Sequence, residues 1–197
     1  MKTVFLDTSY KTMSVVCIES DKVVSYYHEE AFKKQSELAM SVLDECVKEA
    51  GWSPLDIDEI IIAIGPGSYT GVRIAMTIAK TLSAISSIKV RTITSLELFV
   101  DSDEKTLVLF DARSERAYVG VFENRKYIHG PLVLSIPEVT TLINEDNYII
   151  KGDGHLVDKL DVFTINKETC LILIKNAEVV DDIDHLKPLY LKEMSAY

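Results

Sequence analysis

The chain has 197 residues, of which 47% are hydrophobic and 26% charged, enough apolar material for one large or two small folded domains. This composition excludes a disordered tail protein. Lys and Arg total 21 against 31 Asp and Glu, and the net charge of −10 excludes unaided binding to the phosphates of nucleic acid.

The predicted elements of the first half are a strand meander followed by alternating helices and strands. Ser36 is predicted to cap a helix that ends at Gly51, a residue suited to the left-handed stop. The remaining predicted elements are strands at 3–7, 13–19, 23–27, 59–64 and 89–93, a turn at 20–22, a glycine-rich loop at 65–71, a helix at 72–86 and a short helix opening at Thr94 or Ser95.

The second half repeats this order of elements. Strands are predicted at 106–111, 117–122, 127–129 and 148–151, a helix at 137–144, and turns at 123–125 and 152–154. We therefore predict two copies of one β-β-β-α-β plan, although chance resemblance between two α/β halves is the alternative. Residues 1–102 form the first predicted lobe and 103–184 a smaller second lobe. The short segment 185–197 is predicted to return to the first lobe.

The apolar segments and cysteines indicate a cytoplasmic protein that does not contact a membrane. The apolar run 60–64 is far shorter than the ~18 to 20 residues of a membrane span. Only a few apolar residues precede Asp7, which is too few for the apolar region of a secretory signal. Cys17, Cys46 and Cys170 lie in separate apolar segments without CxxC spacing, which is typical of reduced, buried thiols.

The glycine-rich loop between a strand and a helix is a candidate anion site, because unpaired N–H groups and a helix dipole meet there. It matches none of three common catalytic motifs: no lysine follows Gly71 for a P-loop, the third glycine is one residue late for a dinucleotide fingerprint, and the GxSxG spacing is absent. A strand-to-helix turn is the alternative. The loop residues are Gly65, Pro66, Gly67, Ser68, Tyr69, Thr70 and Gly71.

The helix predicted at 72–86 is apolar on nearly all sides. Such a helix must be buried on more than one side. In a lobe of ~100 residues, one side can meet the sheet and the other then needs cover. This pattern favours a protein partner, and a helix sandwiched within its own domain is the alternative.

Four segments together resemble the bacterial TsaB (YeaZ) family. They are the decapeptide 65–74, Asp7-Thr8 at a strand end, Asp111-Ala112-Arg113, and the segment 188–192. The decapeptide is highly specific and the other segments are supportive. The resemblance implies an actin-like ATPase (ASKHA, ribonuclease H-like) α/β fold of two lobes, in an inactive relative of the TsaD/M22 glycoprotease superfamily.

The resemblance also implies a function and partners. The chain would be a non-catalytic subunit required for threonylcarbamoyladenosine modification of tRNAs that read codons starting with adenine. It would bind and support a TsaD-like catalytic subunit together with a TsaE-like ATPase, pair with itself when alone, and meet tRNA only through the complex. The helices at 36–50 and 72–86 would form the partner surface. The candidate partner-binding residues are Leu38, Val42, Cys46, Arg73, Ile74, Ile78 and Leu82.

The catalytic relative carries HxxxH, a metal-binding spacing, in the short helix after the fifth strand. Ser95 and Phe99 occupy those positions here, and the four histidines show no pair at ligand spacing. We therefore expect no catalytic residue, metal or cofactor on this chain, with ATP and a metal at the partner subunits. A metal-dependent glycopeptidase is accordingly disfavoured.

Residual nucleotide binding is the remaining enzymatic possibility. Its candidate residues are Asp7, Thr8, Asp111 and Arg113, because actin-like kinases place an acidic residue at the corresponding strand ends. The phosphate-turn glycines are missing beside these aspartates, which could equally be turn or capping residues. A small actin-like sugar or acid kinase is therefore the alternative function, and Arg73 and Arg113 are expected to make polar contacts only.

Overall fold

The computed structural model describes residues 1–163 and 165–191, with the side chain of Glu168 left out, and divides into two compact units. The first unit holds Met1–Ser95 together with Asn166–Pro188. The second holds Leu96–Ile165 and the last described residues, from Leu189 to Leu191. No helix in the described part of the chain is both long and apolar enough to cross a membrane.

The described residues form ten strands, four α-helices and three short 3-10 turns. The strands are β1 (Lys2–Asp7), β2 (Thr12–Glu19), β3 (Lys22–Glu30), β4 (Glu59–Ala63), β5 (Lys89–Ile93), β6 (Thr106–Asp111), β7 (Arg116–Glu123), β8 (Lys126–Ser135), β9 (Ile149–Gly152) and β10 (Glu178–Val179). The helices are α1 (Gln35–Glu49), α2 (Tyr69–Ile85), α3 (Ile136–Glu145) and α4 (Lys167–Asn176). The 3-10 turns are Pro54–Asp56, Glu97–Phe99 and Gly154–Val157.

The first unit is built on a six-stranded mixed sheet of order β10-β5-β4-β1-β2-β3. β1 pairs antiparallel with β2 and parallel with β4, so it lies inside the sheet, and its residues from Thr3 onward are buried. Apolar side chains of α1 and α2 pack with the sheet in one core that includes Leu6, Val42, Ile62 and Ile78.

The second unit repeats this plan with a four-stranded sheet of order β8-β7-β6-β9. β6 pairs antiparallel with β7 and parallel with β9, as β1 does with β2 and β4. The core includes Leu107, Val121 and Val139, the last contributed by α3. The predicted α/β fold class and its two β-β-β-α-β copies are confirmed by these pairings.

The hairpin turn is also repeated. Ser20 and Asp21 join β2 to β3 with φ of 50° and 62°, and Asn124 and Arg125 join β7 to β8 with φ of 51° and 59°. Positive φ at both central residues matches the right-handed twist of the flanking strands. Both turns were predictable from the sequence because they contain polar residues that tolerate this conformation.

The structure draws the division between the units at different positions from the predicted one. Residues 96–102 belong with the second unit and 166–184 with the first. The return to the first unit follows from β10, which pairs antiparallel with β5, and from the Arg91 guanidinium, which donates to the Ala177 carbonyl at 2.6 Å. Of the predicted returning segment, 185–188 lies in the first unit, and 192–197 lies outside the described residues.

Candidate functional site

The glycine-rich loop is held against the residues that follow β1. The Ser68 N–H donates to the Ser9 carbonyl at 2.7 Å, and the Thr8 hydroxyl donates to the Gly71 carbonyl at 2.6 Å. A Cβ on Gly67 would lie 2.4 Å from the Ser9 carbonyl oxygen, and a Cβ on Gly71 2.0 Å from that of Thr8. The two glycines therefore permit backbone to approach backbone.

These contacts favour the strand-to-helix turn over the anion site. Ser68 is the N-cap of α2, and its hydroxyl accepts from the Gly71 N–H at 3.2 Å. The Ser68 N–H is occupied by Ser9, so two N–H groups that could face an anion are satisfied within the protein. The helix begins at Tyr69, three residues before the predicted start, because this cap lies inside the loop.

Asp7 and Asp111 stabilise equivalent turns in the two units. The Asp7 carboxylate accepts from the Ser9 N–H at 2.8 Å, and the Asp111 carboxylate accepts from the Arg113 N–H at 2.7 Å. Both bonds span two residues, the geometry of an Asx turn. The four candidate nucleotide-binding residues thus include two turn-forming aspartates, the exposed Arg113 and Thr8, whose hydroxyl is already bonded to the loop.

The environment of Asp7 is unusual for a carboxylate. The side chain is fully buried, and among the described residues its Oδ2 has no hydrogen-bond partner. Loss of hydration raises the pKa of Asp7 from 3.8 to about 6, against the opposing effect of the bonds from Ser9. Because burial disfavours the charged form, the carboxyl of Asp7 stays protonated up to a higher pH than an exposed aspartate does.

The six apolar residues among the predicted partner-binding residues fall into two classes by burial. Val42, Cys46 and Ile78 are at most 8% exposed and pack in the first unit's own core. Helical periodicity identified the apolar faces but not which stripe meets the sheet. Leu38, Ile74 and Leu82 pack at the margin of the same core and are only partly buried.

Four apolar residues follow one line along α2, at spacings of four, four and three residues, and are called here the apolar stripe: Ile74, Ile78, Leu82 and Ile85. The stripe is buried at Ile78, partly exposed on either side, and 74% exposed at Ile85. Ile85 was not among the predicted partner-binding residues, although its spacing from Ile78 was a usable signal. The stripe therefore leaves apolar surface uncovered at the end of α2.

Arg73 lies exposed on another side of α2. Its guanidinium donates to the Tyr69 hydroxyl at 2.6 Å and lies 5.2 Å from the centroid of that ring, a cation–π arrangement. Arg73 thus contacts a side chain one helical turn away.

The positions expected for a metal-binding HxxxH are buried and lack nitrogen ligands. Ser95 is fully buried, and its N–H donates to the Gly65 carbonyl at 2.8 Å. Phe99 is 1% exposed and meets Phe110 edge to face, with ring centroids 5.2 Å apart. Side chains of these types cannot bind a metal as an imidazole pair does.

Comparison with known proteins identifies the family. A model of the family described as TsaD, tRNA N6-adenosine threonylcarbamoyltransferase, matches residues 25–152, which is more than half of the chain. The chain belongs to the TsaD family. The matched range includes the glycine-rich loop, the apolar stripe and the HxxxH-equivalent positions.

A relative of known name confirms the resemblance to TsaB. The chain is 31% identical over 147 residues to the tRNA threonylcarbamoyladenosine biosynthesis protein TsaB of Bacillus subtilis, which covers 73% of this chain and 63% of that protein. It therefore spans less than two thirds of that relative. It is also 25% identical over 195 residues to the uncharacterized protein MG208 of Mycoplasma genitalium, across 96% of this chain and 94% of the other.

Solved structures show the same fold. YeaZ from Pseudomonas aeruginosa superposes with a TM-score of 0.83 at 20% identity, covering 96% of this chain and 99% of that one. A second structure, of an uncharacterized protein with similarity to peptidase YEAZ from the same organism, gives a TM-score of 0.82 at the same identity and coverage. At this level of identity the likeness concerns the fold alone.

Proposed function

We propose that the chain is a non-catalytic subunit required for threonylcarbamoyladenosine modification of tRNAs that read codons starting with adenine. It would bind and support a TsaD-type catalytic subunit together with a TsaE-type ATPase. The match to the TsaD family and the role for which the Bacillus subtilis relative is named support this proposal. The observation that carries the division of labour is the replacement of the HxxxH ligands by Ser95 and Phe99, both buried.

The glycine-rich loop supports the same conclusion. In a phosphate-binding loop, free N–H groups face the ligand. Here Ser9 and Thr8, which follow β1, hydrogen-bond to the loop. The backbones of Gly67 and Gly71 lie so close to these two residues that no space is left for a ligand between them. The chain accordingly has no catalytic cofactor of its own in this proposal, and ATP and the catalytic metal belong to the partner subunits.

Partner binding is assigned to the apolar stripe and the adjoining Leu38 of α1. These residues pack against the core of the first unit and also expose apolar surface. Apolar surface of this kind is typical of the centre of a permanent interface. The net charge of −10 opposes direct contact with tRNA phosphates, so tRNA is reached through the complex. When the chain is alone, the same surface pairs with a second copy.

The test places one negative charge on the stripe where folding tolerates it. Ile85→Glu changes a side chain that is 74% exposed, whereas a charge at the buried Ile78 would damage the core. Leu55→Glu, at a side chain 87% exposed in the 3-10 turn after α1, is the matched control. We expect Ile85→Glu to weaken binding to the purified catalytic subunit at least tenfold in calorimetry and Leu55→Glu to leave it unchanged.

Cells provide the second readout. Replacing the chromosomal copy by Ile85→Glu should lower threonylcarbamoyladenosine in bulk tRNA, whereas Leu55→Glu should preserve it. Equal binding by both variants would overturn the assignment of the surface. Turnover of ATP and a sugar or acid by the chain alone would instead support the kinase alternative and overturn the non-catalytic role.

A further inference from the structure

A closed loop in the second unit brings together three side chains that none of the sites described above includes. β9 ends at Gly152, whose N–H and carbonyl bond to the carbonyl and N–H of Val162 at 2.8 and 3.0 Å. The Lys159 N–H donates to the Gly154 carbonyl at 3.0 Å inside the loop. A Cβ on Gly154 would lie 2.1 Å from the Leu160 carbonyl oxygen, so this closure requires glycine.

Closure of the loop gathers Asp153, His155 and Asp161. One potential ligand atom from each lies within 4.8 Å of the other two. The His155 Nδ1 is 3.9 Å from Asp153 Oδ1 and 2.8 Å from Asp161 Oδ1. In the described part of the chain this is the one group of three such residues.

The three side chains differ in how firmly they are held. Asp153 is 1% exposed, and its Oδ2 accepts from the Asp111 N–H at 2.8 Å, which orients the carboxylate. Asp161 Oδ1 accepts from the His155 N–H at 2.9 Å. The His155 and Asp161 side chains reach solvent, with 54% and 33% exposure, so they can adjust around a ligand.

We propose that Asp153, His155 and Asp161 bind one divalent transition-metal ion, of which Zn²⁺ is the representative. In a tetrahedral site with bonds of ~2.1 Å, neighbouring ligand atoms are about 3.4 Å apart. The two distances from His155 Nδ1, 2.8 and 3.9 Å, bracket that value. Binding would replace the hydrogen bond between His155 and Asp161, and rotation of these two exposed side chains would bring the three ligand atoms to that spacing.

The donor set decides the class of ion. Two carboxylates with a neutral imidazole carry a charge of −2, which a divalent cation neutralises. Imidazole nitrogen suits zinc and its neighbours, whereas Mg²⁺ takes oxygen ligands and keeps its waters. Three protein ligands leave a fourth position for water. The ion would hold the loop 153–161 closed at both ends.

His185 and Asp182 supply an internal control. Their side chains form a similar exposed pair, with Nδ1 2.7 Å from Asp182 Oδ2, but they belong to no group of three potential ligands among the described residues. A histidine paired with one aspartate should bind zinc far more weakly than three ligands at one point. This pair thus shows how much an ordinary surface ion pair contributes to zinc affinity.

The experiment uses the full chain, stripped of metal with a chelator and titrated with Zn²⁺ in a calorimeter. We expect one strong site per chain, weakened at least tenfold in His155→Ala and in Asp161→Asn, and unchanged in His185→Ala. Both site variants alter exposed side chains, and circular dichroism of the metal-free proteins checks that they fold. The thermal midpoint should rise with Zn²⁺ in the wild type and in His185→Ala only.

Mg²⁺ at the same concentrations is the second arm and should give no saturable heat. Wild-type affinity no higher than that of His155→Ala would overturn the proposal, as would an equal loss in His185→Ala. Saturable Mg²⁺ binding without Zn²⁺ binding would overturn the assignment of the ion. None of these readouts involves partner binding or ATP turnover, so failure of the zinc site would leave the proposed function standing.

Discussion

Gly71→Ala tests whether the close approach between α2 and the end of β1 stabilises the first unit. The added Cβ would lie 2.0 Å from the Thr8 carbonyl oxygen, whereas real Cβ contacts are essentially never below 3.0 Å. The helix and the strand end must therefore separate by about 1 Å. That movement also breaks the buried bond of 2.6 Å from the Thr8 hydroxyl to the Gly71 carbonyl.

The magnitude follows from three contributions. Forcing the overlap costs about 1–3 kcal/mol, and the lost buried hydrogen bond costs about 1–3 kcal/mol. Alanine returns about 1 kcal/mol as the better helix former, since Gly71 lies within α2 without a positive φ. We expect Gly71→Ala to lower the free energy of unfolding by about 1–5 kcal/mol, with a central value of about 3 kcal/mol.

Gly51→Ala is the matched control because Gly51 has the positive φ that Gly71 lacks and lacks the close contact that Gly71 has. Gly51 has a φ of +73° but nothing within 4 Å of an added Cβ, so only backbone strain of about 1–2 kcal/mol is expected. Urea unfolding followed by circular dichroism compares the two variants with the wild type. A loss below about 1 kcal/mol for Gly71→Ala, or one no larger than for Gly51→Ala, would refute the close-approach argument.

Two further predictions concern buried charge in the first unit. Because burial raises the pKa of Asp7 from 3.8 to about 6, the folded state binds this proton more tightly than the unfolded chain, and stability falls as pH rises through that window, by up to about 3 kcal/mol. Asp7→Asn should remove this contribution from unfolding curves measured between pH 4 and 7. Arg91→Ala should lower stability by about 3 kcal/mol, because it leaves Glu59, 5% exposed, without its ion-pair partner at 3.4 Å and Ala177 without its donors. Limited proteolysis should then cut within 166–188.

Each of these has a contrary outcome. An unchanged pH profile in Asp7→Asn would mean that other groups cause the dependence, and the pKa of this carboxyl would not be the reason. Resistance of the Arg91→Ala segment 166–188 to protease, equal to that of the wild type, would show that β10 is held without the guanidinium.

The order of elements was predictable because its signals are local. Alternating apolar residues and the turn residues Ser20, Asp21 and Asn124 indicate the hairpins without reference to distant parts of the chain. Gly51, at φ +73°, ends α1 as predicted. The missed elements lack such signals: α4 contains the apolar run 171–174, which gives no clear helical period, and β10 has two residues held through β5 and Arg91.

The site was less predictable because it depends on contacts between distant segments. Thr8 and Gly71 are 63 positions apart, and no spacing rule links them. No two histidines stand at metal-ligand spacing in the sequence, so the pattern does not single out His155, although folding brings it to two aspartates. Ile78 was predicted to be an outward-facing residue because the apolar character of α2 does not reveal which side the sheet covers.

The first unit is built from two separate segments of the chain, and this has a consequence for its folding during synthesis. Its sheet is completed by β10, which the ribosome makes only after the whole of β6 to β9. Until then the nascent chain exposes the open edge of β5, a site where another chain can pair. The sheet of the second unit lies wholly within Leu96–Ile165 and can form before β10 is made. Fragments that end before Asn166 should consequently aggregate, even though they contain most of the first unit.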